Sequence, residues 1–209
     1  MRIIRHSWPV LFNSAHMKKY FFMYCCLPIL LLVSCTATFN WREIRFNEQG
    51  FVALLPAKNH LEQKSLAFEN KQLMMTMVAA KAGDILFAVG TIPYVAKEVS
   101  GEALMQWMSL NTSKIVQSPS PVQMIQFEVK TAQTPKQIIP AQGYNLKGFG
   151  PDGVYRIYWV RWIIRKDASD QERIYQLSAI RSFKTEPSEQ VKTQTTEQIE
   201  TFMGGFHPD

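Results

Sequence analysis

Lys71-Gln72-Leu73-Met74-Met75-Thr76-Met77-Val78-Ala79-Ala80, then Lys81-Ala82-Gly83-Asp84, then Ile85-Leu86-Phe87-Ala88-Val89-Gly90-Thr91-Ile92-Pro93-Tyr94-Val95 reads as two strands joined by a turn. Immediately afterwards the period changes. Leu104, Trp107, Met108, Asn111 and Ile115 fall at i, i+3, i+4, i+7 and i+11, one face of a helix expected over about residues 99–116. Ser100 is placed to cap it, and Glu102 suits the positive end of the helix dipole. A long apolar hairpin followed by an amphipathic helix decides the class: strands and helices are segregated rather than alternating.

Outward from this stretch the pattern holds. Upstream, Trp41 to Phe46 alternates, Asn47-Glu48-Gln49-Gly50 is a turn, and Phe51-Val52-Ala53-Leu54-Leu55 is a buried-type strand stopped by Pro56. Leu61 to Phe68 reads as a further strand, with His60 in the loop before it. Downstream, Ser118-Pro119-Ser120-Pro121 closes the helix, and strands resume at Val122 to Thr131, Gly143 to Phe149, Val154 to Ile164 and Arg173 to Phe183. The last two are separated by the polar loop Lys166 to Glu172. A final helix is expected over about 187–203, with the stripe Val191, Thr195, Ile199, Phe202 and Met203 and an end at Gly204-Gly205. The order of strands, helix, strands, helix predicts an α+β fold with a mostly antiparallel sheet and two main helices.

With Gly50-Phe51-Val52-Ala53-Leu54-Leu55-Pro56 early and Phe202 to Phe206 late, residues 41–206 resemble the PsbP-like fold and related small bacterial lipoprotein domains. That resemblance implies a mostly non-enzymatic role, as an extrinsic subunit or an assembly factor, and it supplies no functional residue.

The amino-terminal segment has a different logic. Tyr20 to Val33 is a run of fourteen residues without a charge, flanked by Lys18 and Lys19. A helix needs roughly 20 apolar residues to cross a bilayer, so this run fits the core of a secretory signal better than a span. The two lysines hold its amino end on the cytoplasmic side. Met17-Lys18-Lys19-Tyr20-Phe21-Phe22 reads as the start of such a signal, with Met1 to His16 as an upstream extension. Leu32-Val33-Ser34-Cys35 closes it, and over Met17 to Cys35 the chain is similar to bacterial lipoprotein precursors, fitting their lipobox at all four positions. The resemblance implies cleavage between Ser34 and Cys35, a diacylglycerol thioether on Cys35 and acylation (palmitate or a similar chain) of the new amino terminus. Thr36, in place of Asp, implies sorting to the outer membrane. Several acyl chains anchor stably where one binds only marginally.

Three segments follow: a signal at 1–34, a lipidated short tether at 35–40, and one α+β domain at 41–206. The tether reaches about 20 Å when extended, which holds the domain close to the bilayer. Cys25, Cys26 and Cys35 are the only cysteines, so the mature domain has no disulfide although its compartment would permit one. Cleavage leaves 175 residues, enough to bury a sizeable core. The chain's charge of +6 falls to +2 once Arg2, Arg5, Lys18 and Lys19 are removed, leaving nineteen basic and seventeen acidic residues. Near neutrality removes the main support for a nucleic-acid partner.

Catalytic signals are sparse. Gly148-Phe149-Gly150-Pro151-Asp152-Gly153 spells G-x-G-x-x-G, but Pro151 removes an N–H and an aromatic, β-branched strand follows, so hairpin chemistry is the expected reading. Met74, Met75, Met77, Met105, Met108 and Met124 are expected to fill the core rather than bind copper. Beyond Cys35 only His60 and His207 remain, the latter in the tail, and no zinc ligand set can be assembled. Glu43, Glu48, Asp84 and Asp152 are the carboxylates that folding could pair. Tyr155, Arg156, Tyr158, Trp159, Arg161, Trp162 and Arg165 interleave aromatics and cations. Tyr155, Trp159, Arg161 and Trp162 are the candidate interaction patch; the plainer expectation is a central strand with Tyr158, Val160, Trp162 and Ile164 under a helix. Arg161 decides between them: facing inward it needs a partner, facing outward it marks a patch.

The expectation is a lipid-anchored, non-enzymatic binding or assembly factor on the periplasmic face of a bacterial outer membrane. Its partners would be the membrane, through the lipid, and an envelope protein, with no cofactor, metal or nucleic acid. The alternatives are an envelope hydrolase or glycan-processing enzyme whose acid-base pair only folding assembles, and a small-ligand carrier.

Overall fold

Alternating apolar residues dictate a sheet that buries both faces, and the computed structural model shows one. It describes residues 38–117, 122–166 and 171–209. The signal segment, the lipobox with Cys35, the closing Ser118-Pro119-Ser120-Pro121 and most of the loop after Lys166 lie outside the described residues.

Ten strands and two α-helices are described: β1 (Arg42–Phe46), β2 (Phe51–Leu55), β3 (Asn59–Phe68), β4 (Lys71–Ala82), β5 (Ile85–Val95), α1 (Gly101–Thr112), β6 (Ile125–Lys130), β7 (Ile138–Phe149), β8 (Tyr155–Lys166), β9 (Gln171–Phe183), α2 (Glu189–Gly204) and β10 (Phe206–Pro208). Seven strands form one sheet in the order β3-β4-β5-β9-β8-β7-β6, and β1-β2-β10 form a second. Every pairing is antiparallel. The fold is α+β with antiparallel sheets.

Period-two alternation sends each strand of the large sheet into two cores. On one face Ile157, Trp159 and Ile163 of β8 join Phe87, Val89, Leu177 and Ala179, and this face is covered by Ile199 and Phe202 of α2 and by Phe51, Leu55 and Phe206 of the small sheet. On the other, Tyr158, Val160 and Trp162 meet Leu104 and Met108 of α1. The molecule therefore has three layers: α1, the large sheet, and α2 beside the small sheet. Each fully buried apolar side chain contributes about 1.5–3 kcal/mol, so β5 and β8, buried on both sides, contribute most per residue.

Helix α1 begins where expected: the Ser100 hydroxyl accepts the Ala103 N–H at 3.3 Å, and Leu104 and Met108 are buried. In α2 the buried stripe is Thr195, Ile199 and Phe202. Thr195 is tolerated there because its hydroxyl donates to the Val191 carbonyl and accepts from Arg181 Nη1, both at 2.8 Å.

Several bounds differ from the sequence reading. His60 belongs to β3 rather than to a loop, because the β3–β4 ladder runs out to Asn59 opposite Ala80. Strand β7 begins at Ile138, not Gly143, since Ile138 and Ile139 pair with Lys130 and Val129. β6 starts only at Ile125. The chain does not trail off after α2: Phe206 turns into β10 opposite Ala53, so His207 lies in a strand and its Nδ1 is 2.9 Å from the Lys130 carbonyl.

The two ends of the large sheet are distinct. Thr38 lies beside Gly83 in the β4–β5 turn, at the end where Ile85 pairs with Arg181. At the opposite end, where β8 and β9 finish in Lys166 and begin in Gln171, sits the β1–β2 turn.

Candidate functional site

The aromatic and arginine-rich strand β8 does not make an exposed patch. Tyr155, Trp159 and Arg161 are each 6% exposed and Trp162 is 1% exposed. They also divide between faces, with Tyr155, Trp159 and Arg161 toward α2 and Trp162 toward α1. This corrects the patch expectation: β8 is an interior strand, and its aromatics are core. Trp162 Nε1 is held by Gln176 at 3.0 Å.

Arg161 lies inward. Opposite it in the ladder is Gly143, where any Cβ would come within 2.0 Å of the Val160 carbonyl. The guanidinium lies 3.5 Å from the centre of the Phe127 ring and 5.3 Å from that of Trp159. Its Nη1 donates to the carbonyls of Val160 at 2.8 Å and Tyr144 at 3.3 Å. Among the described residues no carboxylate reaches it, and burial pushes its pKa down to about 10. It remains a cation at neutral pH, sealed from solvent, and that makes it a packing element.

The open charged feature lies farther along the same strand. Arg165 of β8 and Arg173 of β9 are register partners, directly opposite each other. Together with Gly50, Gln133, Tyr175 and Asp209 they line a cavity of about 310 Å³, which Lys166 also borders. Arg165 Nε donates to the main-chain oxygen of Asp209, the last residue of the sequence, and Arg173 Nη1 to the Glu48 carbonyl, both at 2.9 Å. The Tyr175 hydroxyl donates to the Gly50 carbonyl at 2.8 Å, which holds the β1–β2 turn over the site. Burial pushes that phenol up to about 12, so it is a neutral donor. Gly50 has φ +68°, and a Cβ there would stand 3.2 Å from the Tyr175 oxygen and 3.3 Å from Arg173 Nη1. Only glycine admits so close an approach without strain. The Asp209 carboxylate is taken by Arg45 at 2.8 Å.

Other expected chemistry is tied up locally. Asp152 pairs with Arg156 in the β7–β8 turn and Asp84 faces Arg181 at 3.8 Å from the β4–β5 turn, so these two carboxylates belong to different turns. Arg156 holds the Asp152 carboxyl well below the usual carboxylate range. Gly148 to Gly153 leads into a strand, with the Gly150 N–H bonded to the Val154 carbonyl at 2.8 Å, a hairpin arrangement. Met75 and Met108 are buried, whereas Met74 and Met124 are exposed. No group of three or more metal-ligating acids, histidines or cysteines occurs among the described residues.

Sequence reasoning passed over Arg165 and Arg173 as a pair. Arg165 belonged to the interleaved run and Arg173 simply opened the next strand. Only the hairpin register joins them.

No family model matches the chain, and no curated protein matches it.

Proposed function

We propose that this protein is a lipid-anchored component of a bacterial cell envelope, held through Cys35 on the periplasmic face of the outer membrane, with a non-enzymatic binding domain. Leu32-Val33-Ser34-Cys35 after a short uncharged run supports the anchor. The observation that carries the binding role is the cavity between Arg165, Arg173 and the β1–β2 turn. Its arginines are held in place by main-chain oxygens of Asp209 and Glu48, a preorganised arrangement suited to gripping a ligand. Strands and helices in this order also support a likeness to the PsbP-like fold, with its extrinsic-subunit and assembly roles.

The layout fits a tethered receptor. Thr38 is three residues beyond Cys35 and lies at the β4–β5 end of the large sheet. The cavity lies at the other end, eight β9 residues away between Arg181 and Arg173, about 26 Å at the usual strand rise. The test is cell fractionation of Cys35→Ala: the variant should leave the membrane fraction and lose fatty-acid label. Retention of both contradicts the anchor.

A further inference from the structure

Strand β3 (Asn59–Phe68) is an edge of the seven-stranded sheet, and among the described residues it pairs only with β4. Its other side presents backbone N–H and C=O groups along ten residues, a long edge to leave open. Six consecutive residues, His60 to Ser65, are exposed, so both faces of the strand are accessible. Open edges are commonly blunted by a proline, a bulge or charge of one sign. β3 has no proline, and its ladder with β4 runs without a bulge. At its middle stand Glu62 and Lys64, one charge of each sign, and neither makes an ion pair among the described residues.

That arrangement is self-complementary. Antiparallel strands of two identical chains are related by a two-fold axis perpendicular to the sheet, with one residue meeting itself on the axis. Three axis positions near the middle of β3 can be compared. At Glu62 the axis sets two carboxylates together, and at Lys64 two ammoniums, both destabilising. At Gln63 it sets Glu62 opposite Lys64 twice, once on each side of the axis. The same register runs from Asn59 opposite Ala67, so the strand is used along almost its whole length. It also sets Leu61 of one copy, 51% exposed, opposite Ser65 of the other. Ser65 faces Met74 across the β3–β4 ladder, and Met74 is 49% exposed. The small serine lets the two apolar side chains approach over it.

We propose that β3 is a docking edge for a second copy of this chain, joined antiparallel about a two-fold at Gln63 into one continuous sheet. The test is diamide crosslinking of the full chain in intact expressing cells, together with sedimentation of the detergent-solubilised protein. Opposed residues in an antiparallel ladder have Cα atoms about 4.5–5.5 Å apart, within disulfide range. Gln63→Cys meets itself on the axis and should give a disulfide-linked dimer. The wild type and Glu200→Cys, on the exposed side of α2, set the background. Glu62→Lys and Lys64→Glu each turn both ion pairs into like-charge pairs, and each should weaken the dimer about tenfold. The double variant restores opposite charges and should return to within about threefold of wild type. That rescue separates an effect at the interface from an effect on the fold. A monomer at high micromolar concentration, a Gln63→Cys yield no greater than background, a double variant as weak as the singles, or Gln63→Cys linked only to a different protein would each overturn the proposal. None of these readouts needs lipid at Cys35 or a ligand in the cavity, so failure here is distinct from failure of the anchor or of the binding role.

Discussion

Arg165 and Arg173 stand directly opposite each other on β8 and β9, and both line the cavity beneath the β1–β2 turn. A ligand of that cavity binds only the folded chain, so it must raise stability by mass action. At a hundred times its dissociation constant, such a ligand is expected to add about 2.7 kcal/mol. Urea unfolding with and without ligand checks this, and Arg173→Gln should lose most of the gain.

Gly50 is the second determinant of that site. Gly50→Ala places a methyl against the Tyr175 hydroxyl and Arg173 in a left-handed conformation. A loss of about 1–3 kcal/mol is expected in urea unfolding, because both strain and the close approach act at once. An unchanged midpoint would mean that the turn moves freely.

Alkaline stability follows from the buried phenols. Burial raises Tyr144 and Tyr175 from 10.0 to about 12. Their contribution is fully present below pH 10 and is lost as pH rises through about 12, because the unfolded chain ionises first. Each site is expected to forfeit on the order of 2 kcal/mol by pH 12. Urea midpoints from pH 8 to pH 12 should fall, less steeply in Tyr175→Phe.

Arg161 makes a contrary prediction. It is buried without a described counterion, and the two carbonyls that it contacts sit in paired strands. Arg161→Met should change stability by less than about 1 kcal/mol or raise it, since an apolar chain avoids the cost of burying charge. Arg161→Lys should lose about 2 kcal/mol or more, as an ammonium is more strongly hydrated and cannot lie flat on Phe127. The opposite ranking in thermal unfolding would show that the charge itself stabilises the core.

Period and punctuation made much of the architecture legible. Phe51–Leu55 and Ile85–Val95 fall on the expected residues because each is a dense apolar run bounded by turn chemistry. Ser100 is the cap because its hydroxyl has an orphan N–H to satisfy. The start of β7 was hidden by Pro140 and by the polar residues before Ile138, whose strand character comes only from pairing with β6. Three-residue β10 has no period at all and exists because β2 offers it an edge. The candidate site was illegible for a related reason. Arg165 and Arg173 are ordinary strand residues until the β8–β9 register sets them face to face, while the conspicuous aromatics of β8 turned out to be core.

A folded domain tethered by lipid through Cys35 must carry that lipid on its first mature residue. The most direct measurement is mass spectrometry of the amino-terminal peptide of the protein isolated from bacterial envelopes. This peptide is expected to begin at Cys35, carrying a thioether-linked diacylglycerol and an acylated amino group. An unmodified peptide running through Ser34-Cys35-Thr36 in the envelope protein would contradict it.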